Sequence, residues 1–292
     1  MHPLKTNDVR QYFPTERLKP YVRYFVISER VPEGEYKVLP SPGAVIGLQY
    51  RGRLSVLKNH TEIKLNSAEI TGISDSYRIF RSSADIGTVL IYFTETGLAH
   101  FASSPANELF NLSLSLEDIF APECIRKIKE NLHFATSDEQ RIRIAEQFLL
   151  ARLNDKPPDK LNSGAAALIL KANGVIRIKN LAKALYISQS PFEKRFKRIV
   201  GMSPKKFASI VRFNYIIGHL KDKKSLVELS YENGFYDQAH FSKEFRRYTG
   251  ETPEHLKAGL MKAPFFATAE SSDSAPSQPD LRVKAIETLH LR

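Results

Sequence analysis

Lys194 and Lys243 stand 49 residues apart, each about one turn past a residue suited to cap a helix, Ser188 and Asp237. A lysine exposed near the start of a helix that enters the major groove of duplex DNA can donate to guanine N7 and O6. Lys197 with Arg198, and Arg246 with Arg247, lie farther along and suit phosphates at the groove edge. The residues around the two lysines repeat as well. Leu181, Ala182 and Ile187 recur 48 residues on as Leu229, Ser230 and Phe235, whereas Phe192, Phe196, Gly201, Pro204 and Phe207 recur 49 on as Phe241, Phe245, Gly250, Pro253 and Leu256. The register slips by one residue in a turn, where a helix-turn-helix tolerates an insertion because the connection only has to span two packed helices. No third copy is found, and a stacked array needs at least three.

The elements that must position these side chains follow from apolar spacing. In unit one, residues 179–185 form the first helix and residues 189–200 the second, capped by Ser188, with Phe192, Phe196 and Ile199 as its buried stripe. That leaves Gln189, Ser190, Glu193, Lys194, Lys197 and Arg198 outward. In unit two, residues 226–233 form the first helix, Gly234 permits the positive φ of the turn, and Asp237 caps residues 238–248. Phe241, Phe245 and Tyr248 turn inward, Gln238, Ala239, Ser242, Lys243, Arg246 and Arg247 turn outward, and His240 lies on the margin. Ser203 and Pro204 open a connecting helix over residues 204–221 that is apolar on more than one face, and so is buried between neighbours.

Charge singles out the same segment. Of the net +11, residues 163–262 carry 19 basic and 8 acidic side chains, residues 1–162 carry 21 and 20, and residues 263–292 carry 3 and 4. A basic domain is the electrostatic footprint of a polyanion partner. The eight histidines are scattered without the paired spacing of a metal site, and there is neither a phosphate-binding glycine loop nor a nucleophile elbow. No catalytic residue, metal or cofactor is therefore expected. Cys124 excludes an internal disulfide and reads as a buried, inert thiol on a helical stripe. No run of about 18 apolar residues could span a bilayer and residues 1–10 lack the apolar core of a signal peptide, so the expected setting is the cytoplasm, without a membrane partner.

The expected fold is α+β. Residues 1–155 form a β-rich sensory or dimerisation domain, with strands read at residues 24–27, 44–50, 54–57 and 88–93, ending in two helices over residues 117–134 and 138–153. Phe120, Cys124 or Ile125, Ile128 and Leu132 make the apolar stripe of the first, and Ile142, Ala145, Leu149 and Leu153 that of the second, which Asp138 would cap. These stripes could pack on their own domain or join two copies into a homodimer. Residues 156–164 read as a linker, residues 165–262 as an all-α domain of two helix-turn-helix units whose first helix covers residues 164–172, and residues 263–292 as a disordered tail.

The run LSYENGFYDQAHFSKEFRRYTGETPEHLKA, residues 229–258, resembles the signature of the AraC/XylS family of bacterial transcription regulators, and the first unit with Arg212 fits it too. The resemblance covers about 100 residues. It implies a seven-helix domain that reads two successive major-groove segments of double-stranded DNA, with base contacts from Ser190, Glu193, Lys194 and Lys197 in unit one and Gln238, Ala239, His240 and Lys243 in unit two. Arg198, Arg246 and Arg247 remain for phosphates, and position along the helix alone would add Lys197 to them. Ser230 stands where alanine is usual, and Ala258 where an arginine or similar residue often stands. A weaker similarity of residues 20–27 and 39–43 to the effector domains of one branch of the family implies a sensory or dimerising role for the N-terminal domain, with modulation through it by an unidentified small-molecule effector. A regulator of this family would also have RNA polymerase as a partner and be associated with the nucleoid. A ligand-independent regulator, a non-specific nucleic-acid module and a DNA-repair alkyl transferase acting through Cys124 are the competing readings.

Overall fold

The computed structural model describes residues 8–29, 33–59, 61–154, 156–220, 222, 224–262 and 289–290. Strands β1 (Asp8–Tyr12), β2 (Val22–Glu29), β3 (Gly34–Val38), β4 (Val45–Arg51), β5 (Leu54–Lys58), β6 (Thr61–Lys64), β7 (Ala68–Thr71), β8 (Arg78–Ser82), β9 (Gly87–Phe93) and β10 (Ser113–Ser115) come first in the chain. They form two antiparallel sheets. The larger has the order β1-β2-β9-β4-β7-β10, and the smaller runs β3-β8-β5-β6. Strand β4 alternates, sending Ile46, Leu48 and Tyr50 inward, whereas the central β9 is buried on both faces. Val89, Ile91 and Phe93 of β9 join Phe25, Ile27, Ile46 and Leu48 in the main core; on its other face Tyr92 meets Tyr24, its cross-strand partner, at 4.7 Å between ring centroids.

Helices α1 (Pro122–Phe134) and α2 (Asp138–Leu150) close this core. Ile125, Ile128 and Leu132 of α1 and Ile142, Ala145, Phe148 and Leu149 of α2 are buried among the strand residues, with Leu153 partly buried beside them. The stripes that could have formed a dimer seam are thus consumed by their own domain. Ile125 takes the inward position and Cys124 is exposed, which overturns the expectation of a buried thiol. The N-cap of α2 is Ser137, not Asp138: the Ser137 Oγ accepts from the Gln140 N–H at 3.3 Å. Asp138 instead bonds the Arg10 guanidinium and accepts from the Tyr12 hydroxyl at 2.7 Å, fastening β1 to the helical hairpin. Burial would raise the Asp138 pKa, but the bonds from Arg10 and Tyr12 and the nearby Arg10 and Arg141 charges hold it below the ordinary aspartate value.

Among the described residues seven helices follow: α3 (Lys160–Lys171), α4 (Ile178–Ala184), α5 (Gln189–Val200), α6 (Pro204–His219), α7 (Leu226–Glu232), α8 (Gln238–Thr249) and α9 (Pro253–Lys262). The first begins four residues earlier than its apolar pattern suggested, inside the expected linker. Asp159 is the reason: its carboxylate accepts the Asn162 N–H at 3.1 Å and the Arg195 Nε at 3.0 Å. Of the tail, Leu289–His290 forms β11 against Lys37 and Tyr36 of β3, so these two residues are a strand where a disordered tail was expected; residues 263–288 lie outside the described residues.

The turns of the two units are conformationally matched. Gly234 has φ 72°, and Tyr186, 48 residues earlier, has φ 53° with its side chain almost fully exposed. A bulky L-residue in the left-handed region costs about 1–2 kcal/mol, part of which a glycine would give back by enlarging the unfolded ensemble. Tyr186→Gly is therefore expected to raise stability by roughly 0.5–1 kcal/mol, read as a higher urea midpoint at unchanged slope; a lower midpoint would mean that the exposed ring stabilises the turn.

The two domains lie against each other. Leu39 and Ile73 of the β-rich domain enter the core formed by α3 to α9. The Asn214 Nδ2 donates to the Pro40 carbonyl at 3.0 Å, and Lys37, almost fully buried, pairs with Glu251. Asp75, in the loop between β7 and β8, pairs with both Lys206 and Arg247.

Candidate nucleic-acid interface

Helices α5 and α8 have the same length and the same construction. Each buries two phenylalanines, Phe192 and Phe196 or Phe241 and Phe245, and each ends in a left-handed glycine, Gly201 or Gly250. Their N-termini differ. Asp237 accepts the His240 N–H at 2.7 Å, whereas Ser188 holds the N-cap position of α5 without a side-chain capping bond. Ile199 is only half-buried, and Val200 completes the stripe of α5 in its place.

With those faces fixed inward, the expected contact residues fall outward. Ser190, Lys194, Lys197 and Arg198 on α5, and Gln238, Ala239, His240, Lys243, Arg246 and Arg247 on α8, are exposed, and Glu193 is intermediate. Gln189, Ser190, Glu193, Lys194, Lys197 and Ser203 border one open recess along α5. The Gln189 side chain donates to the Glu193 carboxylate at 2.7 Å, which restrains the one acid of that face. Lys194, Lys197, Arg198, Lys243 and Arg246 make no ion pair among the described residues, whereas Arg247 is engaged by Asp75.

The second unit is coupled to the connector α6 by Arg212. Its guanidinium donates to Glu244 of α8 at 2.9 Å and lies over the Phe235 ring at 4.1 Å, so one side chain fixes both the turn and the helix that follows it. Ser230, where alanine is usual, is buried, and its hydroxyl donates to the Val227 carbonyl at 2.8 Å. The α7 helix opens with a capping box between Ser225 and Glu228.

Asp75, Asn111 and Lys206 carry no local sequence signal. They meet only through the tertiary fold, the Lys206 Nζ lying 2.8 Å from the Asp75 Oδ2 across 131 residues of chain. Among the described residues no three His, Cys, Asp or Glu side chains are placed to hold a metal ion, and no helix is long and apolar enough to cross a membrane.

Comparison with known proteins finds a helix-turn-helix domain over residues 181–259 and a domain of unknown function, DUF6597, over residues 10–115. The chain is 30% identical to an uncharacterized HTH-type transcriptional regulator of Haemophilus influenzae over 118 residues, 40% of this chain and 39% of the relative. It is 26% identical to the Msm operon regulatory protein of Streptococcus mutans over 164 residues, 53% of this chain and 57% of the relative. The match thus spans from two fifths to somewhat over half the length of these curated relatives. Among solved structures, ToxT from Vibrio cholerae aligns over 87% of this chain and 98% of its own at 13% identity, with a TM-score of 0.45. The helix-turn-helix match over residues 181–259 and the two regulator relatives support the resemblance drawn from residues 229–258, that of an AraC/XylS-type transcription regulator.

Proposed function

We propose that the protein is a sequence-specific DNA-binding transcription regulator of the bacterial cytoplasm, without enzymatic activity, in which α5 and α8 read two successive major-groove segments. Residues 165–262 are the DNA-binding unit, and the β-rich domain modulates it through the contacts between the two. The observation that carries this reading is the set of five exposed cations without ion pairs among the described residues, Lys194, Lys197, Arg198, Lys243 and Arg246, on two matched helices whose opposite faces are buried. Ser190, Glu193, Lys194 and Lys197 on α5 and Gln238, Ala239, His240 and Lys243 on α8 meet base edges; Arg198, Arg246 and Arg247 meet phosphates. RNA polymerase is the further partner in this reading, and a small-molecule effector would act through the β-rich domain.

Selection of binding sites from random duplexes tests the proposal: a shared sequence should be enriched, whereas recovery of unrelated sequences would favour a non-specific nucleic-acid module. On the selected site, Lys243→Ala is expected to relax base preference in one half at a cost of about 1–3 kcal/mol. Arg246→Ala should instead weaken all sequences alike and reduce the salt slope by about one. Equal losses on selected and random DNA for Lys243→Ala would make it a phosphate contact.

A further inference from the structure

We propose that Lys206 and Arg247 together form a binding site for one DNA phosphate, and that the Asp75 carboxylate of the β-rich domain occupies this site when DNA is absent. The inference rests on the reading of α5 and α8 as DNA-contacting helices, and it assigns Lys206 a role that neither the sequence pattern nor the resemblance suggested.

Lys206 lies in the first turn of α6 and Arg247 in the last turn of α8, so the two cations come from different units of the repeat. Both are directed at the same oxygen, the Asp75 Oδ2. Arg247 is one turn beyond Lys243 on the outward face of α8, and Ser203, whose hydroxyl accepts the Lys206 N–H at 3.4 Å, borders the recess along α5. Two cations converging on one anionic oxygen suit a phosphodiester as well as a carboxylate, since both offer the same charge-assisted acceptor.

Asp75 is held for this contact. Its carboxylate accepts from the Asn111 Nδ2 at 2.9 Å while its N–H donates to the Asn111 Oδ1 at 3.0 Å, and Asn111 itself adopts φ 60°. Burial alone would raise the Asp75 pKa; the bonds from Lys206 and Asn111 and the Arg247 charge hold it below the ordinary aspartate value, so the group is anionic at neutral pH. The two cations are about half exposed, at 47% and 51%, while the Asp75 side chain is 11% exposed. Both cations are carried on helices of the helical domain, so withdrawal of the β-rich domain leaves them open to solvent. Since one oxygen position serves both anions, Asp75 and a phosphate exclude each other, and the β-rich domain competes with DNA for the helical domain.

The test uses the full chain and fluorescence anisotropy with a labelled random-sequence duplex and a selected duplex, each titrated at several salt concentrations. Asp75→Ala is expected to tighten binding to both duplexes about three- to tenfold, the scale of one or two partly exposed ion pairs, and to steepen the salt slope by about one. Asp75→Asn, which keeps the side-chain size and the acceptor for Asn111, should act in the same direction if Asp75→Ala folds poorly. Adding Lys206→Ala and Arg247→Ala to either variant should erase the gain. The proposal is overturned if Asp75→Asn melts like the wild type yet binds with unchanged affinity and slope, or if the gain survives removal of both cations. Failure of the wild type and every variant to bind any duplex would instead remove the DNA-binding reading itself.

Discussion

Replacing Phe241 by alanine is expected to destabilise the second helix-turn-helix unit by about 3–5 kcal/mol and to abolish DNA binding through loss of structure, not through loss of a contact. The ring is buried, 5.1 Å from the Phe235 ring and 5.7 Å from that of Phe245, which in turn packs on Phe213 of the connector at 5.6 Å. Truncation leaves a cavity at the junction of the turn, α8 and the connector, where the same aromatic cluster keeps Phe235 in place beneath Arg212. A melt followed by circular dichroism separates the outcomes. Intact helix content with an unchanged midpoint would mean that α8 turns Phe241 outward and that Lys243 does not face DNA.

Leu149→Ala is expected to lower the stability of the β-rich domain by about 2–5 kcal/mol, because its side chain is fully buried against the sheet with Ile128, Leu132 and Ala145. The same substitution distinguishes the internal role of the α1 and α2 stripes from a dimer seam. Internal packing predicts a lower melting midpoint with sedimentation unchanged. Loss of self-association with an unchanged midpoint would restore the seam.

The helical domain was legible in the sequence because its determinants are local. Phenylalanines at helical spacing set the inward faces of α5 and α8, and Asp237 and Ser203 mark helix starts through side-chain capping bonds that the structure contains. Errors of one position arose where two apolar residues adjoin. Periodicity points to Ile199 where Val200 is buried, and at the Cys124–Ile125 pair it admits the thiol although Ile125 fills the inward position, because spacing alone does not decide between neighbours 100° apart on the helix. The strands read from the sequence are those with long apolar runs, such as β2, β4 and β9. Thr61–Lys64 was missed because it is exposed throughout, and β1, β3, β7, β8 and β10 because short, mixed strands take their pairing from neighbours distant in sequence. The interdomain contact was not legible at all. Asp75 meets Arg247 across 172 residues, and nothing near either residue marks the meeting.

The spacing of the two recognition helices is the most exposed part of the proposal, and methylation interference and hydroxyl-radical footprinting of the full chain on a selected duplex test it directly. Two protected major-groove segments about one helical turn, roughly 34 Å, apart are expected. Lys194→Ala should lose guanine protection in one segment and Lys243→Ala in the other. A single protected segment, or two segments affected equally by either substitution, would contradict the assignment of α5 and α8 to separate stretches of the groove.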